Sequence, residues 1–142
     1  MSVLSIATSG LSAASLRLNV TANNIANALT TGPLPATGAS GGTSSSSNTS
    51  NFPTAFVPLQ VNQVDQTSGG TVATVAPVSP SFVAQSDPNA PFANQDGLVA
   101  APNEDLASQF VQLLTAKYSF AANAKVIQTY ADTAKSLLDI TA

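Results

Sequence analysis

Cysteine and histidine are both absent from this chain. Their absence removes disulfides, thiolate nucleophiles, Ser-His-Asp triads and the common zinc sites. Zero cysteine suits an oxidising compartment and the cytosol alike, so it does not decide location. Charge is nearly as scarce: 8% of residues are charged, and the net charge is −3. The four cations, Arg17, Lys117, Lys125 and Lys135, are scattered. Nucleic acids and anionic lipids are held by clustered cations, so neither partner is expected. No stretch approaches the roughly 18 uninterrupted apolar residues of a transmembrane helix, and no transmembrane segment is expected. The first residues lack the basic and apolar regions of a cleavable secretory signal. A protein of this kind that leaves the cytoplasm is expected to do so by another route.

What is present is dominated by two terminal patterns. From Asn103 to Ile140, large apolar residues fall at Leu106, Phe110, Leu113, Phe120, Ile127 and Leu138, with Ala124, Ala131 and Ala134 in register. Steps of three and four place them on one helical stripe, which only Lys117 interrupts. Asn103 is placed to cap the first turn, with Glu104 and Asp105 where the helix dipole favours negative charge. No Gly or Pro lies between Asn103 and Ala142. At 1.5 Å per residue such a helix is about 57 Å long, too long for the core of a small globule. The start of the chain matches it. Leu4, Leu11, Leu18 and Ile25 are spaced by seven, with Ala7, Ala14, Thr21 and Ala28 between them, a heptad seam whose small residues allow close helix approach. Gly10 reads as a weak point in that helix.

Between the ends the pattern changes. Gly32 and Pro33 stop the first helix near residues 28–31. Residues 36–51 are low in complexity and rich in Gly, Ser and Asn, and predict a flexible exposed loop. Val57, Leu59 and Val61 alternate with Pro58, Gln60 and Asn62, and Val72, Thr74 and Ala76 with Ala73, Val75 and Pro77; a polar turn ending in Gly69-Gly70 separates the two runs. This predicts a β-hairpin with edge strands. Ser81 to Ala84 is a candidate third strand and Leu98-Val99 a short one, with breakers at Pro88, Pro91, Gly97 and Pro102. The expected fold is mainly α with a small β segment: two long terminal helices pair as a coiled-coil-like unit, with a β-hairpin and flexible loop between them. The expected divisions are residues 1–31, 32–55, 56–102 and 103–142.

Chemistry-bearing groups mostly have plain structural readings. Glu104 and Asp105 fit helix N-terminal charge better than an acid–base pair. Asp87, Asn89, Asn94 and Asp96 lack calcium-loop spacing and fit turn chemistry. Lys117 and Lys135 have no implied pocket for Ser-Lys catalysis. No cofactor, metal or enzymatic activity is expected. Asn23, Asn24 and Asn27 read either as helix-end turn residues or as hydrogen-bonding groups between subunits. Asn123 reads either as a register-fixing polar residue near the seam or as part of a solvated face. Two long helices with few charges leave apolar surface wet, and lone helices are marginal. The chain is therefore expected to be a self-assembling structural subunit. A protein coating lipid or an apolar granule is the alternative from another class; it calls for cationic flanks that these helices lack.

Ala22-Asn23-Asn24-Ile25-Ala26-Asn27-Ala28, following a Leu-rich heptad, resembles the N-terminal signature of bacterial flagellar axial proteins. Gly69 to Val75, the block from Asp87 to Asn103, Lys117 to Asn123 and Ala134 to Leu138 are similar to proximal rod proteins of the FlgC type. The resemblance implies a subunit of the flagellar basal-body rod. It would be exported through the flagellar apparatus without a cleaved signal and assembled helically with copies of itself and homologous rod subunits. A rod-like relative building a separate extracellular filament is the variant of that reading. The expected assembly interface comprises Leu4, Leu11, Leu18, Asn24, Ile25, Asn27, Leu106, Phe110, Leu113, Phe120, Asn123, Ile127 and Leu138.

Overall fold

A computed structural model describes residues 2–35 and 52–141. The loop expected over residues 36–51 lies outside them. Helix α1 spans Val3–Asn27 and helix α2 spans Leu106–Thr141. Ser2 caps α1 by accepting from the Ser5 amide, as a short hydroxyl side chain at that position does. The helix stops at Asn27, close to the expected end, with Ala28 as its C-cap. α2 begins later than expected. Pro102 closes the preceding strand, and Asp105, not Asn103, is the cap: its carboxylate accepts from the Ala107 amide at 3.1 Å. Asn103 instead donates its side-chain amide to the Pro80 carbonyl at 2.9 Å.

The helices are antiparallel. Gly10 lies against Asn123, and Asn24 meets Gln109. Those two pairs fix the register and place Arg17 opposite Ala116, since each helix steps fourteen residues between them and these two lie at the midpoints. Val3 lies beside Val126 and Tyr130. α2 therefore runs on past the start of α1, and residues 131–140 are all exposed. From residue 131 to the end of α2 this overhang is about 16 Å long.

Two β-hairpins complete the chain. Strand β1 (Leu59–Asp65) pairs antiparallel with β2 (Thr71–Pro77), Leu59 opposite Pro77 and Asp65 opposite Thr71. The turn between them uses Gly69 and Gly70, both at positive φ. The candidate third strand exists but does not extend this sheet. Strand β3 (Phe82–Ser86) pairs with β4 (Leu98–Pro102) in a separate antiparallel sheet, Phe82 opposite Pro102. An isolated bridge ties Gly32 to Ala100 by two backbone hydrogen bonds of 3.0 and 2.9 Å. The connection after α1 thus lies along β4, whose residues Val99, Ala100 and Ala101 are buried.

The buried hydrophobic residues are small. Of the eight among the described residues, six are alanine; the others are Val20 and Val99. Alanine lets helices approach closely but removes little apolar area from water, so burial within one chain is a weak source of stability. Leu4, Phe110, Val111, Leu114, Phe120, Leu137 and Ile140 all remain more than a third exposed.

Candidate functional site

The inter-helix seam runs one position away from the stripes read by residue size. On α1 the buried positions are Ala7, Ala13, Ala14, Val20, Thr21 and Asn24. The small members of the expected seam, Ala7, Ala14 and Thr21, are in it. Leu11, Leu18 and Ile25 sit on its flank, half-buried, and Leu4 is 40% exposed. On α2 the closed line is Gln109, Ala116 and Asn123, each seven apart, with Gln109 and Ala116 buried. Leu113 and Ile127 are half-buried beside it, and Phe120 is 38% exposed. Leu106 and Phe110 face outward, and Leu138 is 70% exposed on the overhang. The line passes through Ala116, so Lys117, which seemed to interrupt the seam, is outside it and exposed. Ala131 and Ala134 are exposed as well.

Gly10 has a second role besides its cost in helix propensity. It is the contact point at which Asn123 crosses α1: a Cβ there would come within 2.8 Å of the Asn123 side-chain amide. The missing side chain, which costs helix propensity, makes room for that crossing. Asn123 is half-buried and donates back to the Ser119 carbonyl at 2.9 Å.

The most constrained polar group is Asn24, which is 1% exposed. Its Nδ2 donates to the Leu59 carbonyl at 2.7 Å, and the Leu59 amide donates back to Asn24 Oδ1 at 3.1 Å. The side-chain amide therefore acts as one more strand residue at the head of β1. Nδ2 also donates to Glu104 Oε1 at 3.2 Å and lies 3.5 Å from Gln109 Oε1. Gln109 Nε2 in turn donates to Glu104 Oε2. The end of α1, the start of β1 and the start of α2 meet at this node. No buried side-chain nitrogen or oxygen among the described residues lacks a partner. Asn24 spends its amide within the chain. Asn27 bonds locally, donating to the Asn23 carbonyl at 2.9 Å. Nothing in the sequence marked Gln109: an isolated glutamine in a helix carries no signal until the opposing asparagine is known.

Burial raises the pKa of Glu104 above its ordinary 4.5; the Gln109 hydrogen bond opposes the shift, and the neighbouring Asp105 carboxylate adds to it. The folded chain thus holds this proton more tightly than the unfolded chain. Below pH 4.5 both states are protonated and the group contributes nothing. As pH rises from 4.5 through the raised value, the ionised form penalises the fold, and stability falls. Urea unfolding of Glu104→Gln against the parent should show a free-energy difference that changes across this window and is flat below it. A pH-independent difference would remove Glu104 as the titrating group.

The first hairpin is fixed on α1 at both ends. At its turn the Thr71 amide donates to Ser9 Oγ at 3.1 Å, while the Ser9 hydroxyl donates to the Ile6 carbonyl at 2.8 Å. At its base stands the Asn24–Leu59 exchange. The described residues contain no cluster of three metal-ligating side chains and no helix long and apolar enough to cross a membrane.

Comparison with known proteins follows the same division of the chain. The family model described as "Flagella basal body rod protein" matches residues 4–33, covering α1 and the Gly32 bridge. The model described as "Flagellar basal body rod FlgEFG protein C-terminal" matches residues 95–140, covering β4 and nearly all of α2. The chain is 30% identical over 135 residues to the flagellar basal-body rod protein FlgC of Agrobacterium fabrum, an alignment that covers 95% of this chain and 90% of that one.

Proposed function

The chain belongs to the flagellar basal-body rod protein family, of the FlgC type, and on that premise we propose how it takes its place there. It is a structural subunit of the flagellar basal-body rod, which self-assembles with other rod subunits. The assembly surface is the leucine flank that the closed seam leaves beside it: Leu4, Leu11, Leu18 and Ile25 on α1, and Leu106, Phe110, Leu113, Phe120, Ile127 and Leu138 on α2. Asn27 and Asn123 lie at its margins. Asn24 serves it indirectly, by setting the register of the two helices. One observation supports this reading above the rest: the chain buries alanine and leaves its large side chains wet. At about 25 cal/mol per Å², covering those side chains in an assembly is the largest favourable free energy still open to the molecule. The subunit has no catalytic role, binds neighbouring rod subunits and copies of itself, and reaches its site through the flagellar export apparatus. The terminal segments, residues 1–31 and 103–142, are the assembling parts, and residues 56–102 form the outward segment.

The test is assembly of the full chain at rising concentration, followed by sedimentation and electron microscopy. The parent should form polymers or stacked rings. Leu18→Asp and Ile127→Asp should each abolish them, because a carboxylate buried without a partner costs more than the contact supplies. Normal polymers from either variant would contradict the assignment of the flank.

A further inference from the structure

Arg17 is the only charged residue on α1. It sits midway along the seam, opposite Ala116, and is half-buried. It lines a cleft of about 240 Å³ between α1, β1 and α2, together with Val20, Leu59, Val61, Val111 and Gln112. None of these neighbours is charged. Arg17 makes no hydrogen bond or ion pair with any described residue. A guanidinium withdrawn from water without a counter-charge is unfavourable, and its planar fork is matched to a carboxylate.

The candidate carboxylates narrow quickly. Glu104 already accepts from Asn24 and Gln109, and Asp105 caps α2. Asp65 ends β1, and Asp87 and Asp96 lie in the connection between β3 and β4. Asp132 and Asp139 are exposed and unpaired with any described residue, as are Asp65 and Asp96. What sets Asp132 and Asp139 apart is that both stand on the α2 overhang, which reaches past the rest of the hairpin. Seven residues apart, they share one face of the α2 overhang, with Ser136 between them and Ile140 on the flank. Lys135 stands near that face but pairs with neither. The overhang of one molecule cannot reach its own Arg17, which lies opposite Ala116, more than four helical turns (about 24 Å) back along α2 from Asp132.

We propose that the Arg17 cleft is a socket for the α2 overhang of a second copy of this chain. Arg17 pairs with Asp132 or Asp139 of that copy, and the valines of the cleft cover its apolar flank. This deepens the reading of the chain as assembling through its terminal helices, and rests on it. The contact is head-to-tail: each copy offers one cleft and one overhang, so it propagates instead of closing on itself. The charge pair sets which overhang position seats, a matter on which a leucine surface alone is indifferent.

Charge exchange between two full-length chains tests it. Arg17→Glu in one chain, and Asp132→Arg with Asp139→Arg in the other, should each raise the concentration needed for assembly by about tenfold or more. An equimolar mixture should recover parental assembly, because every contact in an alternating polymer then joins opposite charges. Asp132→Asn with Asp139→Asn lies wholly on the exposed overhang, so its expected loss cannot come from unfolding the hairpin. Parental assembly by these variants, or no recovery on mixing chains that circular dichroism shows to be folded, overturns the pairing. The result that separates this from failure of the assembly reading itself is Leu18→Asp: if it abolishes polymers while the charge variants do not, the flank stands and the socket falls. A parent chain that never self-associates removes both.

Discussion

Asn24→Leu is expected to lower the stability of the chain by about 3 kcal/mol or more, although the new side chain is apolar and of similar size. The loss does not come from Asn24 alone. Its removal leaves the Leu59 amide and carbonyl without their partner and takes one donor from the Glu104 carboxylate. Each such group, kept from water and unbonded, costs about 1–3 kcal/mol. Three elements lose a common fixture at once, so the damage should be cooperative. Urea unfolding would measure the free energy, and amide exchange would show Leu59 among the positions that lose protection. An effect under about 1 kcal/mol would mean that the node forms without contributing. The consequence for assembly is indirect but severe: Asn24 and Gln109 set the register of α1 on α2, and a shifted register re-aims every leucine on the flank.

Gly32→Ala is the second large effect, and it acts through backbone alone. A Cβ at this position would lie 2.2 Å from the Ala55 nitrogen and 2.8 Å from the Pro53 carbonyl oxygen. No rotamer change relieves a clash with main chain. Residues 53–55 or β4 must move, which strains either the Phe56–Thr30 hydrogen bond or the pair between Gly32 and Ala100. A cost of about 3 kcal/mol is expected, at the upper end of overpacking. Thermal unfolding would record it, and exchange at the Ala100 amide should accelerate more than exchange in the middle of α2. If the melting temperature holds, residues 53–55 are free to retreat and the bridge is not needed. Gly32 is not part of the leucine flank, so protein that still folds should still assemble; Gly32→Ala and Leu18→Asp thereby separate stability from association.

How far the sequence could be read differs between elements for a physical reason. Helices announce themselves through period and through the absence of breakers, and α1 and α2 both stand where period placed them. Hairpin β1–β2 carried alternation on both strands and a double-glycine turn. β3 and β4 carried only short signals, and no local feature said that they would pair with each other instead of joining the first sheet. Asp105 displaced Asn103 as the cap because Asn103 was drawn to the Pro80 carbonyl, a partner 23 residues away. Gly10 read as a defect because its benefit lies on the other helix.

By itself, then, the chain's order of residues determined that there would be two long helices of low charge with small residues on one side and leucines beside them, because helical period and composition are properties of neighbours three and four apart. Only the tertiary structure decided which stripe closes. The close stripe is the one whose alanines and Gly10 permit the axes to approach, with Asn24 and Gln109 bonded across it, and the leucines were left to the flank. That choice depends on how near the helices come and on what else covers them, and both are set by contacts some eighty to a hundred and ten residues apart in the chain.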